Sequence, residues 1–168
     1  MPTIDDLREQ LEMTVKLRQT MMKPRDVRFI GSEDLVLKMG AEYPRYEGPQ
    51  KPTIPRACYA NSYRLATRRG SRWIYCEGFA VHDRMPLAVP HAWVTPIGNP
   101  GEAHDRTWAD ARGALYIGIA FQTAYIRKVW RAPASRKMDS FCVLDCWWLH
   151  WPLLTGEHKI EDVIWKPE

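Results

Sequence analysis

The sequence predicts a single α+β domain in which helices pack on an antiparallel sheet. Three observations carry that prediction. Helical periodicity dominates the first third and the last third of the chain, whereas the middle alternates aromatic and β-branched runs with turn residues. The connections in that middle part are short, as in Gly98-Asn99-Pro100-Gly101, which favours antiparallel neighbours over crossovers. Finally, 168 residues with 45% hydrophobic content, including eight Trp and seven Tyr, suffice for one core and not for two.

Residues 3–22 read as an amphipathic helix. Thr3 can cap it, Asp5 and Asp6 suit its positive end, and Ile4, Leu7, Leu11 and Val15 form one stripe before the stop at Pro24. A short helix follows at 33–39, capped by Ser32 and closed by Gly40. Residues 41–57, with four prolines and two tyrosines, read as an ordered loop. The helical pattern returns at 58–69, with Gly70 as its stop. Strand character marks 73–81, 91–97, 103–108 and 114–121. Residues 122–131 look helical again, and the Trp-rich stretch 139–154 reads as a buried helix. The single domain therefore divides into a helical and Pro-rich region (1–57), a central core (58–121) and a helical cover (122–168).

The net charge of +4, from 24 basic and 20 acidic residues, falls short of the clustered basic face of a nucleic-acid binder. A basic group at Arg68, Arg69 and Arg72, joined by Arg127, Lys128 and Arg131, is the ordinary complement of helix C-termini. No run of 18 apolar residues exists, so no membrane partner is expected, and the acidic start Thr3-Ile4-Asp5-Asp6 is unlike a signal peptide. A cytoplasmic location follows as the expectation. Four Cys are too few for a disulfide scaffold, which leaves each as a thiol.

One of those thiols is placed for chemistry. Cys58 opens a predicted helix, where unpaired amides and the helix dipole favour a thiolate and can hold an oxyanion. A thiol nucleophile needs an imidazole to move its proton, and His91 opens a strand-like segment. A carboxylate that orients the imidazole completes the set; Asp105, after the turn, is the candidate, with Asp83 and Asp110 as alternatives. Around this trio, Gln50 upstream of the Cys and Tyr59, Asn61, Glu77 and Trp93 within the core are oxyanion or substrate candidates. Cys142, Cys146 and His150 would share one helix face, but three ligands interleaved with Trp fit a core helix better than a metal site, and no metal or other cofactor is expected.

The pieces Cys58-Tyr59-Ala60-Asn61, His91-Ala92-Trp93-Val94 and Asp105-Arg106-Thr107-Trp108 together resemble the transglutaminase-like branch of the papain-like cysteine enzymes. Tyr75-Cys76-Glu77-Gly78-Phe79-Ala80 and Tyr116-Ile117-Gly118-Ile119-Ala120-Phe121 are similar to strands of small bacterial and phage members. The likeness runs from Arg56 to Phe121, with Arg106 standing where the family has Pro. It implies a papain-like core with the nucleophile at a helix N-terminus and a Cys-His-Asp triad. It also implies acyl transfer through a thioester, as in an amidase, a peptidase or a transglutaminase-type transferase, on a protein or peptide-like substrate. The competing expectation is a non-catalytic modulator, of the kind a phage encodes, that uses the same fold to engage a host protein or nucleic acid.

Overall fold

The computed structural model describes residues 1–21, 27–111, 113–132, 135 and 142–167. Among them the chain forms six α-helices and one four-stranded antiparallel sheet, an α+β arrangement.

Helix α1 spans Ile4–Met21. Thr3 Oγ1 accepts the Asp6 amide at 3.1 Å while the Asp6 carboxylate accepts the Thr3 amide at 2.7 Å, a reciprocal cap that fixes where the helix begins. Its buried stripe is Leu7, Leu11 and Val15; Met22 and the expected stop at Pro24 lie outside the described residues. Helix α2 spans Ser32–Met39, and here Ser32 is its first residue and not its cap. Gly31 takes the cap position without a side-chain bond, and the Asp34 carboxylate reaches back to the Ile30 amide at 3.1 Å instead.

Strand β1, Ala41–Pro44, corrects the reading of 41–57 as loop throughout. It is short, ends in Pro and pairs only with a strand some seventy residues later, so no local pattern announces it. Helix α3 is Cys58–Thr67, closed when Arg127 Nη2 donates to the Thr67 carbonyl at 2.6 Å. Strand β2, Trp73–His82, forms a hairpin with β3, Met85–Pro96, and β4 is Leu115–Phe121. The spatial order is β1-β4-β2-β3. β3 starts six residues before the expected strand at 91–97, in spite of Pro86 and Pro90. Its outer edge tolerates them because the Gln10 side chain of α1 bonds Pro86 O at 2.9 Å and the Ala88 amide at 2.8 Å, standing in for a neighbouring strand.

The expected strand at 103–108 shrinks to two bridge residues. Asp105 Oδ1 accepts the amides of Thr107 (2.9 Å) and Trp108 (3.2 Å), which turns the chain where extension was expected. The two bridge residues nonetheless matter to the architecture. His104 exchanges two backbone bonds with Val94 on the free edge of β3, and Ala103 bonds Pro44, the last residue of β1, and Tyr46 just past it. The sheet is thereby stitched toward closure, and side chains from its two outer strands, Tyr43 and Trp93, meet edge-on at 5.4 Å.

Curling produces two cores. Inside the curl lie Tyr43, Cys76, Ala80, Trp93, Ala103 and Tyr116; on the convex side the helices cover Tyr75, Phe79, Val94, Ile117, Ile119 and Phe121. The paired Gly78 and Gly118 make the curl possible. A Cβ on Gly78 would sit 2.1 Å from the Ile117 carbonyl oxygen, and one on Gly118 would sit 2.5 Å from the Trp93 indole.

After α4, Thr123–Arg131, the expected single helix at 139–154 is also corrected. Residues 139–141 lie outside the described set. From Cys142 the chain runs through turns, a 3-10 turn at Trp147–Leu149, left-handed residues at His150 and Trp151, then α5 (Pro152–Thr155) and α6 (Ile160–Val163). The reason is Glu77, whose carboxylate takes the Val143 and Leu144 amides at 2.8 Å each and withdraws them from helical bonding. No helix among the described residues is long and apolar enough to cross a membrane.

Candidate active site

His91 and Asp105 come from β3 and from the turn stitched to its outer edge, so the same backbone pairing that curls the sheet brings them together. His91 Nε2 lies 2.7 Å from Asp105 Oδ2. Tyr116 Oη donates to that same carboxylate oxygen at 3.0 Å, while the other oxygen takes the Thr107 and Trp108 amides. Asp105 is thus held by four partners with only 1% of its surface exposed. Asp83 and Asp110 are exposed, and Asp105 takes the place beside His91 for which they were the alternatives.

The imidazole is stacked on Trp108, with ring centres 4.0 Å apart and planes 24° from parallel. Nε2 is committed to Asp105, which leaves Nδ1 for a partner on the opposite side of the ring. Cys58, the first residue of α3, acts electrostatically on the imidazole and, after Asp105, helps to raise its pKa. The Cys58 residue retains 8% of its surface and His91 3%, so the group sits just beneath the surface.

Electrostatics follow from this enclosure. Burial alone would drive the imidazole pKa down, but the Asp105 carboxylate and then Cys58 outweigh it and carry His91 up to about 9. Burial works against the Asp105 carboxylate too, yet the His91 charge and the hydrogen bonds of His91, Trp108 and Thr107 hold it below the usual carboxylate range. Near neutral pH the pair is imidazolium and carboxylate. Tyr116, buried beside that carboxylate, keeps its proton well past the ordinary tyrosine range.

The amides of Cys58, Tyr59 and Ala60 precede the first backbone bond of α3, from Asn61 N to Ala57 O at 2.8 Å. Donors not consumed by the helix are therefore grouped at the thiol. Two of the side-chain candidates lie next to this centre and do other work. Asn61 is buried one turn into α3 and gives both Nδ2 protons to protein acceptors, Ile54 O at 2.8 Å and Thr107 Oγ1 at 2.9 Å. Tyr59 is half-buried against Cys142 and Glu77, and burial foremost, then those neighbours, pushes its hydroxyl pKa up.

Three further expectations are placed elsewhere. Glu77 is fully buried and accepts Tyr75 Oη (2.7 Å), Cys142 Sγ (2.7 Å) and two amides, which makes it the pin of the 142–144 segment; burial raises its pKa in spite of those donors. Trp93 is fully enclosed inside the sheet. Gln50 lies beside an open depression of about 1010 Å³ with Arg45 and His82, its amide directed to the Tyr46 carbonyl at 3.4 Å. A smaller cleft of about 230 Å³ is lined by Tyr59 and Pro90, the chain neighbours of Cys58 and His91, together with Phe79, Cys142 and Leu144. Cys142, Cys146 and His150 do not share a helix face; Cys142 bonds Glu77, Cys146 donates to Val143 O at 3.2 Å, and His150 is exposed.

Sequence reasoning assigned no role to Trp108 and Tyr116. Both stood in quoted motifs, Asp-x-Thr-Trp and Tyr-x-Gly-Ile-x-Phe, but nothing local says that the indole covers the imidazole or that the phenol reaches the carboxylate. Comparisons with family models, with curated proteins and with solved structures give no match, so the reading of the site rests on its own geometry.

Proposed function

We propose that this chain is a thiol-dependent acyl-transfer enzyme, with Cys58 as nucleophile, His91 as proton carrier and Asp105 as the group that orients and charges His91. The observation that carries the reading is an imidazole 2.7 Å from a buried carboxylate and under the electrostatic influence of a helix-opening thiol. A ring held near pKa 9 is an imidazolium at neutral pH and carries the proton that a departing amine or alcohol needs.

In the proposed cycle the Cys58 sulfur attacks an amide or ester carbonyl and a C–S bond forms. The oxyanion accepts hydrogen bonds from the free amides at the start of α3. His91 gives its proton to the departing amine or alcohol as that bond breaks, which leaves a thioester on Cys58. Water, or an amine, then attacks the thioester while His91 takes a proton from it; the acid or new amide leaves, and the proton on His91 restores the starting ion pair. The arrangement is similar to that of transglutaminase-like and papain-like cysteine enzymes, and a protein or peptide-like acyl group is the substrate class proposed with it.

The test is to mix wild type and Cys58→Ala with a panel of activated acyl esters and amides and to read the intact mass. One acyl group mapping to Cys58 in wild type and absent from the variant is the expected result. Acylation distributed over Cys142, Cys146 and lysines, equal in both proteins, would defeat the proposal.

A further inference from the structure

The thiol and the carboxylate belong to different parts of the fold: Cys58 to helix α3 on the convex side, Asp105 to the turn on the sheet edge. His91 interacts with both, but an imidazole bonded to the carboxylate does not by itself fix the distance between a helix and a turn. Something else must set it.

Two bonds join the two parts. The Thr53 amide, in the segment leading into α3, donates to Arg106 O at 3.0 Å. Asn61, on α3 itself, donates to Ile54 O at 2.8 Å and to Thr107 Oγ1 at 2.9 Å. Thr107 in turn gives its amide to Asp105 Oδ1 at 2.9 Å. The chain of contacts is therefore closed: Cys58 to His91, His91 to Asp105, Asp105 to Thr107, Thr107 to Asn61, and Asn61 back to Cys58 through one turn of helix. Asn61 is 5% exposed, both of its amide protons are used, and each has one acceptor on either side of the gap. A buried donor with two satisfied bonds is stiff, since losing either leaves an unpaired polar group.

We infer that the Asn61–Thr107 hydrogen bond is the strut that sets the separation of the nucleophile from the acid, and that Asn61 and Thr107 are positioning residues for the Cys58–His91 pair. The inference rests on the acyl-transfer reading above. It also gives the spacing of the two motifs a physical content. Cys-x-x-Asn places the amide one turn behind the thiol on the same helix face, and Asp-x-Thr places the hydroxyl two residues past the carboxylate, so the ends of both motifs meet.

Thr107 is the side to perturb, because it is half-buried and its hydroxyl can be removed without unpacking α3. The rate of Cys58 alkylation by iodoacetamide is measured across pH in wild type, Thr107→Val, Thr107→Ala and Thr107→Ser, with labelling of Cys142 as the internal control and the melting temperature recorded for each. Val and Ala are expected to slow Cys58 alkylation by roughly five- to tenfold near neutral pH, the loss of one neutral hydrogen bond, and to displace its pH profile, while Ser keeps the wild-type rate. Adding Asn61→Ala to Thr107→Val should slow the reaction little beyond the slower single variant, because both remove the same Asn61–Thr107 bond. Should Thr107→Val and Thr107→Ala both match wild type in rate and profile, or Thr107→Ser be as slow as they are, the strut is wrong while the nucleophile stands. If wild-type Cys58 itself reacts no faster than Cys142, the acyl-transfer reading has failed and the strut with it.

Discussion

Asp105→Asn isolates what the carboxylate does. The substitution keeps the shape of the side chain and one oxygen for the Thr107 and Trp108 amides, but it removes the negative charge 2.7 Å from His91 Nε2. In the wild type that charge is the main upward influence on an imidazole that burial alone would depress. The pKa rises from 6.5 to about 9, and at about 1.4 kcal/mol per pKa unit this corresponds to about 3 kcal/mol of imidazolium stabilisation. The sign follows from linkage. A raised folded-state pKa adds stability that is fully present below 6.5 and is lost as the pH climbs through about 9. In Asp105→Asn burial is unopposed by that charge, so His91 should titrate below 6.5. The difference in unfolding free energy between wild type and variant should then be large near about pH 6 and shrink by at least about 3 kcal/mol toward about pH 9.5. Two assays read this: imidazole nitrogen shifts followed against pH by NMR, and urea unfolding of both proteins at the two ends of that window. A variant His91 that still titrates near 9, or a stability difference that is flat across the window, would refute the assignment of the shift to Asp105.

Tyr116→Phe removes a donor from the oxygen that His91 uses, so the carboxylate becomes more basic and NMR should find the His91 pKa higher than in wild type, at a stability cost of about 1 kcal/mol. Glu77→Gln turns one acceptor into a donor facing Tyr75, Cys142 and two amides; a loss of about 1–3 kcal/mol in urea unfolding is expected, with faster proteolysis in the 142–146 segment. Gly78→Ala presses a methyl to 2.1 Å from a backbone oxygen and should lower stability by about 3 kcal/mol or more, whereas Gly98→Ala, with nothing within 4 Å, should melt within about 0.5 kcal/mol of wild type.

What the sequence made legible was whatever its own neighbours determine. The Leu7-Leu11-Val15 stripe, the Thr3 cap and the aromatic strand at Trp73 all act within a few residues, and the elements fall close to where they were expected. The illegible parts are those imposed by distant partners. β1 exists because β4 offers a free edge, and Met85–Pro90 is extended because β2 pairs it and a glutamine from α1 satisfies its outer side. The Trp-rich segment reads as helix by composition, but a buried Glu77 captures its amides, and residues at positive φ break what periodicity would continue. The candidate site divides in the same way. Helix-start placement of Cys58 and strand placement of His91 were readable, and the structure brings His91 to Asp105. The fates of Trp93 and Asn61 were not, because which face of a curled sheet is enclosed and which acceptor lies across a gap are properties of the closed fold.

The central claim is that His91 activates Cys58, and the direct measurement is the iodoacetamide reactivity of each thiol near about pH 6 in wild type and His91→Gln. Cys76, Cys142 and Cys146 all have pKa values raised by burial and should label slowly in both proteins. Cys58 should label at least about tenfold faster than any of them in wild type and lose that advantage in His91→Gln. Equal, slow labelling of all four thiols in wild type, or a Cys58 rate that ignores the loss of the imidazole, would contradict the account.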